Sequence, residues 1–188
     1  MKRTVETEKA MTHYRGAVAG TAPLVMSTLI PAAALADVFA FHLDTRNAAL
    51  ISPRGTRVVR VVGSFPVATG DRVELHVRQF PLPVTQRWLV EIEAVVEPTL
   101  VVDRMLGGPF RTWRHEHRFR EVAGGVELTD AIAYTLPLGA VGRLADRLVV
   151  RPMLRRAFVE RHRRTREALA ATSDPGARPR PSGGAEPA

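Results

Sequence analysis

The residues best suited to chemistry lie close together in the second half of the chain. Between Gly108 and Gly142 the sequence reads GPFRTWRHEHRFREVAGGVELTDAIAYTLPLGAVG. If 111–122 is a β-strand, its side chains alternate between two faces. Arg111, Trp113, His115, His117 and Phe119 share one face; Thr112, Arg114, Glu116, Arg118 and Arg120 share the other. The second set is almost purely charged and belongs in water, so the first set faces in and carries two histidines with it. On the following strand Val126, Leu128, Asp130, Ile132, Tyr134 and Leu136 form the apolar face, so Asp130 also points inward. Two imidazoles, a carboxylate and a phenol facing one interior can pass protons or orient a polar group of a ligand.

The turn between the two strands decides how these groups meet. With Ala123 and Gly124 as a two-residue loop, Val122 pairs with Gly125 and His117 lies opposite Asp130. With Gly124 and Gly125 as the loop, His117 lies opposite Ile132 and His115 opposite Tyr134. A one-residue slip between the two would bury Arg114 and Glu116 and is too costly. Either register brings Trp113, His115, His117, Asp130 and Tyr134 into one neighbourhood.

His115 and His117 project together from a strand, and with Asp130 they could form a metal shell. No further inward carboxylate or histidine is placed by the pattern, and His42 and His76 have no fixed geometry. The reading is therefore a hydrogen-bonded structural cluster, with no metal and no cofactor expected. His117 and Asp130 are candidates for a general acid/base pair, and Tyr134 for a proton donor to a ligand carbonyl. The plainer reading has Asp130 satisfying a buried histidine and Tyr134 lining the interior. Trp88 and Trp113 read as core or cavity lining, and Glu91 and Glu93 as solvent-facing.

The elements that must position these residues follow from periodicity. Residues 23–30 read as a first strand. Residues 32–43 carry Leu35, Val38, Phe39 and His42 at helical spacing, and Asp44 or Thr45 can cap a second short helix to about Leu50. From 56 to 136 the period is two, in segments 56–63, 72–80, 85–96, 99–106, 111–122 and 126–136, broken by turn residues such as Gly70-Asp71 and Pro81-Leu82-Pro83. That is an antiparallel meander. Residues 140 to about 171 read as one long helix, with an apolar line through Val141, Leu144, Leu148, Pro152, Arg155, Phe158, His162, Thr165 and Leu169, and with Leu154 and Val159 beside it. Pro152 should kink or split it. The fold class is α+β: a curved antiparallel sheet of seven strands wrapped around a long C-terminal helix, with two short helices after the first strand. A sheet that curls round one helix leaves a cavity between them, the natural place for a ligand.

The 188 residues make one domain, expected over 22–172, with a flexible lead-in at 1–21 and a disordered Pro/Gly-rich tail at 173–188. The absence of cysteine excludes disulfides, a thiol nucleophile and Cys-ligated metal sites. Net charge is +8, carried by 25 arginines and two lysines, a skew that fits a GC-rich genome. The arginines of the C-terminal helix make an anionic membrane surface a conceivable weak partner. Nucleic acid is disfavoured because no exposed aromatics accompany them. Residues 17–36 are uncharged and end in a small-residue run, as a secretory signal would, but Pro23 and Pro31 interrupt them. The strand-then-helix parse is preferred, and the expected location is cytoplasmic.

The stretch from Gly108 to Gly142 resembles the START-like, or SRPBCC, superfamily of helix-grip proteins, and within it the polyketide cyclase/dehydrase-like group. Gly108, Pro109, Phe110, Trp113, His115, His117, Phe119, Asp130, Tyr134, Pro137 and Gly139 match that group's pattern as they stand. The likeness extends over about residues 22–170; a Thr usual after the Gly turn is replaced by Val126 or Glu127. The resemblance implies an apolar cavity that binds a lipid, polyketide or similar molecule, and a partner enzyme, fused or encoded alongside. Expected ligand-binding residues are Trp88, Trp113, His115, His117, Asp130, Tyr134, Leu144 and Leu148. The reading favours a binder over an enzyme. Its alternatives are a cyclase or aromatase that uses His117, Asp130 and Tyr134, and a membrane-surface adaptor that uses the arginine-rich helix.

Overall fold

The computed structural model of the chain describes residues 22–79 and 84–173. The expected lead-in, the Pro81-Leu82-Pro83 break and the tail beyond Ser173 lie outside the described residues. Elements run in the order β1 (Leu24–Pro31), α1 (Leu35–Leu43), a 3₁₀ turn (Thr45–Asn47), α2 (Ala48–Ile51), β2 (Thr56–Val62), β3 (Arg72–Gln79), β4 (Thr85–Val96), β5 (Leu100–Gly107), β6 (Thr112–Val122), β7 (Gly125–Thr135), α3 (Gly139–Ala145), a π-type segment (Asp146–Val150) and α4 (Arg151–Ser173). The seven strands form one antiparallel sheet in the order β1-β7-β6-β5-β4-β3-β2, curled into a half-barrel. The first strand closes on the last, which carries α1 and α4 onto the concave face. Asp44 starts the 3₁₀ turn, its carboxylate accepting from the Arg46 backbone N–H at 3.0 Å.

The β6–β7 turn takes the first of the two readings above: Val122 pairs with Gly125 and His117 with Asp130. Gly125 has φ +148°, and a Cβ there would lie 2.1 Å from the Ile30 carbonyl oxygen, because β1 runs alongside. Gly125→Ala must therefore push β1 away from β7. We expect a loss of about 2–4 kcal/mol in urea denaturation, against about 0.5 kcal/mol for a substitution at an open surface position.

The convex face is a lattice of ion pairs. Arg72 and Arg104 bond Glu91, Arg114 bonds Glu93 and Glu116, Arg118 bonds Glu116, and Arg120 bonds Glu127. Glu116, expected in water, is only 6% exposed because Arg114 and Arg118 lie over it. On α4, Glu160 pairs with Arg163 and Arg164. Much of the arginine excess is thus spent on glutamates of the same surface, each exposed pair worth about 0–1 kcal/mol.

The helical region departs from the expected line. Leu144 and Leu148 are 59% and 66% exposed, and Val141 is exposed as well, so the helix does not turn these side chains inward. The inward positions are Gly142, Asp146, Val150, Leu154, Phe158, His162, Thr165 and Leu169, mostly four residues apart. The π-type turn at Asp146–Val150 is wider than an α turn and shifts the phase of everything before it. The line read at 3.6 residues per turn agrees with the structure only from Phe158 onward. Pro152 lies inside a continuous helical run, directly after the π-type segment, and the wider i→i−5 turn there accommodates a residue that has no N–H to give.

Candidate functional site

Along the concave face of β6 the side chains follow in the order Trp113, His115, His117, Phe119. The two histidines sit at the junction of two apolar clusters. One holds Phe39, Val101, Phe119 and Leu128. The other holds Ile132, Tyr134, Leu154 and Phe158, with Phe110 and Trp113 packed against it. Asp130 reaches the same junction from β7, fully buried. A carboxylate there must be satisfied completely, and three histidines do it. His117 Nδ1–H donates to Asp130 Oδ1 at 2.6 Å, His115 Nε2–H donates to the same oxygen at 3.0 Å, and His162 Nε2–H donates from α4 to Oδ2 at 2.6 Å. Sheet and helix are thus joined through one carboxylate.

A second carboxylate, Asp103 of β5, pairs across the strands with His115. Its Oδ2 lies 3.4 Å from His115 Nδ1 and 3.7 Å from His117 Nε2, the ring nitrogens turned away from Asp130. Its side chain keeps 17% of its exposure, so the cluster meets solvent on this side. The electrostatics separate the two imidazoles. Burial pushes His115 down, but Asp103 and Asp130 outweigh it and lift the group to about 9. Burial and the charge on His115 push His117 below its ordinary value. Burial raises Asp130, but His117, His115 and His162 hold it well below the usual carboxylate range. Asp103 is also lowered: burial opposes ionisation, and bonding to His115 overcomes it.

His42 of α1 stands beside this group, its ring centroid 5.3 Å from that of His117. Its Nδ1–H donates to the Val38 carbonyl at 2.8 Å, while its Nε2 is shut away from solvent with no hydrogen-bond partner. Burial, then the neighbouring His117, pushes it down to about 3, so the ring is neutral. The aromatic wall is Phe110, Trp113 and Tyr134, with Phe110–Trp113 and Phe110–Tyr134 centroids 4.7 and 5.5 Å apart. The Tyr134 hydroxyl is donated to Asp146 in the π-type segment. Burial and that bond raise its pKa.

No protein-family model and no curated sequence matches this chain. Solved structures do match. A structural genomics protein from Rhodobacter sphaeroides superposes at TM-score 0.65, with 18% identity over 81% of this chain and 95% of its own. The di-domain ARO/CYC protein StfQ of the steffimycin biosynthetic pathway superposes at 0.62, with 15% identity over 81% of this chain and 51% of its own. Ara h 8.0201 does so at 0.55, with 14% identity over 81% and 99%. This chain has a helix-grip fold. The helix-grip arrangement agrees with the sequence resemblance in sheet order, in the two short helices after β1 and in the long C-terminal helix. No helix among the described residues is long and apolar enough to cross a membrane, and 24–31 of the signal-like stretch is a strand.

Within the helix grip, His115, His117 and Asp130 come together as expected, and Trp113 packs edge-on to His115 at 6.0 Å. Tyr134 is in the same neighbourhood with its hydroxyl directed to Asp146 instead of the histidines. Trp88 lies apart from the cluster, on β4 opposite Leu75. Leu144 and Leu148 are outside. The sequence reading missed the roles of Asp103 and His162. His162 stands on the helix line already noted and so carried a signal, whereas Asp103 alternates with Val101 and Met105 on β5 with Arg104 on the opposite face, and alternation does not choose between them.

Proposed function

We propose that this protein binds a hydrophobic small molecule between the concave face of the sheet and the C-terminal helix. The observation that carries the reading is incomplete burial on that face. On β3, Val73 and Val77 are buried while Leu75 between them is half-buried. On the strands beside it Trp88, Met105 and Trp113, together with Phe110 before β6, are also only half-buried. The long helix α4 packs chiefly on β1 and α2, away from β3 and β4. Aromatic and apolar side chains that point inward without being covered offer contact area to an apolar guest, at about 25 cal/mol per Å². The likeness to StfQ and Ara h 8.0201 supports a fold of this kind. Binding is favoured over turnover because the Tyr134 hydroxyl, the donor a cyclisation would use, is engaged by Asp146.

Native mass spectrometry of protein purified from its own host tests this directly, and an apolar guest should co-purify. In vitro, Nile red should bind with enhanced emission, and Trp113→Ala should weaken it about tenfold or more, since an aromatic wall residue contributes about 1.5–3 kcal/mol. A bare mass in the spectrum, with Nile red binding indifferent to both Trp88→Ala and Trp113→Ala, would overturn the reading.

A further inference from the structure

We infer that Asp103, His115 and His117 form a binding site for one divalent transition-metal ion, with Asp130 as the outer carboxylate that orients both imidazoles. The inference goes beyond the ligand-binding reading and does not require it.

The argument begins with tautomers. Asp130 takes the Nε2–H of His115 and the Nδ1–H of His117. Once His115 gives up its second proton, the remaining nitrogens, His115 Nδ1 and His117 Nε2, are lone-pair donors, and both face Asp103 Oδ2. All three ligand atoms lie within 4.8 Å of one another. Three electron-rich atoms turned toward one point repel unless positive charge stands between them. A proton on His115 answers one edge of this triangle and leaves the edge from His117 to Asp103 unanswered. An ion answers all of them.

The distances fit the ion better than the proton. Neutral and charge-assisted N–H···O bonds run to about 2.7–3.2 Å, shorter than the 3.4 and 3.7 Å observed here. Two ligands on a tetrahedral Zn²⁺ with bonds of about 2.0–2.1 Å are separated by about 3.3–3.4 Å. Charge agrees as well: two carboxylates share this buried cluster, Arg161 acts on Asp103 from nearby, and a divalent ion lets every imidazole stay neutral. A carboxylate behind each ligating histidine is the usual means of fixing ring orientation and raising basicity. Two imidazoles and one carboxylate suit Zn²⁺, Fe²⁺ or Co²⁺ and leave at least one position open. Asp103 keeps the site in contact with solvent, which supplies a way in.

The test uses full-length protein without a histidine tag, treated with a chelator and titrated with Co²⁺. We expect visible d–d bands saturating at one ion per chain and displacement by Zn²⁺. Asp103→Ala, on the solvent side of the cluster, should weaken Co²⁺ at least about 100-fold while keeping the wild-type circular dichroism. His76→Ala should leave the titration unchanged, since His76 bonds Glu74 elsewhere on the sheet. A second measurement needs no variant. On addition of Zn²⁺ the ring-nitrogen resonances of His115 and His117 should move to metal-bound positions while that of His76 stays. Wild-type protein without Co²⁺ bands, a folded Asp103→Ala that binds as wild type does, or unmoved His115 and His117 resonances would each overturn the inference. None of these readouts depends on an apolar guest, so this inference and the ligand-binding reading can fail separately.

Discussion

Replacing Asp130 by alanine is expected to cost on the order of 3–5 kcal/mol of folding free energy, the largest single-site loss in this protein. The side chain is fully buried and accepts from His115, His117 and His162. Removing it leaves three buried N–H groups with no acceptor and takes from the charged His115 one of its two carboxylates. The midpoint of thermal unfolding should fall by about 6–20 °C, at about 2–4 °C per kcal/mol for a chain of this size. The loss should be coupled to the helix. In a His162→Leu background, where α4 no longer presents a donor to the carboxylate, Asp130→Ala should cost about 1–3 kcal/mol less than in wild type. A melting temperature within about 2 °C of wild type for Asp130→Ala, or strict additivity with His162→Leu, would show that Asp130 does not hold the helix to the sheet.

Stability in metal-free protein should peak near pH 6.5 and fall on both sides. On the acid side the folded chain keeps His42 neutral down to about 3, while the unfolded chain takes up a proton at the ordinary value of 6.5. The unfolded state therefore binds more protons between those values, and stability is lost as pH falls. His42 alone contributes a loss on the order of 4 kcal/mol across that window, and His117, also lowered, adds in the same direction. Below pH 3.8 the depressed Asp130 and Asp103 add a further loss, because they must be protonated in the unfolded chain first. On the alkaline side the sign reverses. His115 titrates at about 9 in the folded state, so its contribution is complete below 6.5 and disappears as pH rises through 9. That limb amounts to about 3 kcal/mol. Guanidinium midpoints between pH 3 and 10, measured with chelator present, should trace this dome. A midpoint that rises steadily from pH 6.5 to 9 would refute the assignment of a charged His115 paired to two carboxylates.

How much of this was legible in advance follows from which interactions are local. The alternation of Trp113, His115, His117 and Phe119 against Arg114, Glu116, Arg118 and Arg120 placed both histidines inside, because a strand has only two faces and charged side chains occupy one of them. The same logic turned Asp130 inward between Leu128 and Ile132. Asp103 escaped it because Arg104 follows directly, so each face of β5 carries one charge and alternation alone does not say which of the two turns in. The convex lattice answers the question: Arg104 is drawn out to Glu91, which leaves Asp103 opposite His115.

The amino-acid sequence by itself determined the strands, their inward faces and the helix-grip order, since each rests on a period of two or 3.6 and on turn residues within a short stretch. It also narrowed the β6–β7 hairpin to two registers. Only the tertiary structure chose between them, and it did so through the approach of β1 to Gly125, about a hundred residues away in the chain. Only the tertiary structure set the phase of the C-terminal helix, where one wide turn at Asp146–Val150 put Leu144 and Leu148 outside. It alone joined His162 on the helix, Asp103 on β5 and the β6 histidines around a single carboxylate. Those contacts span from 12 to 32 residues of chain, and at that separation no local periodicity constrains which side chains meet.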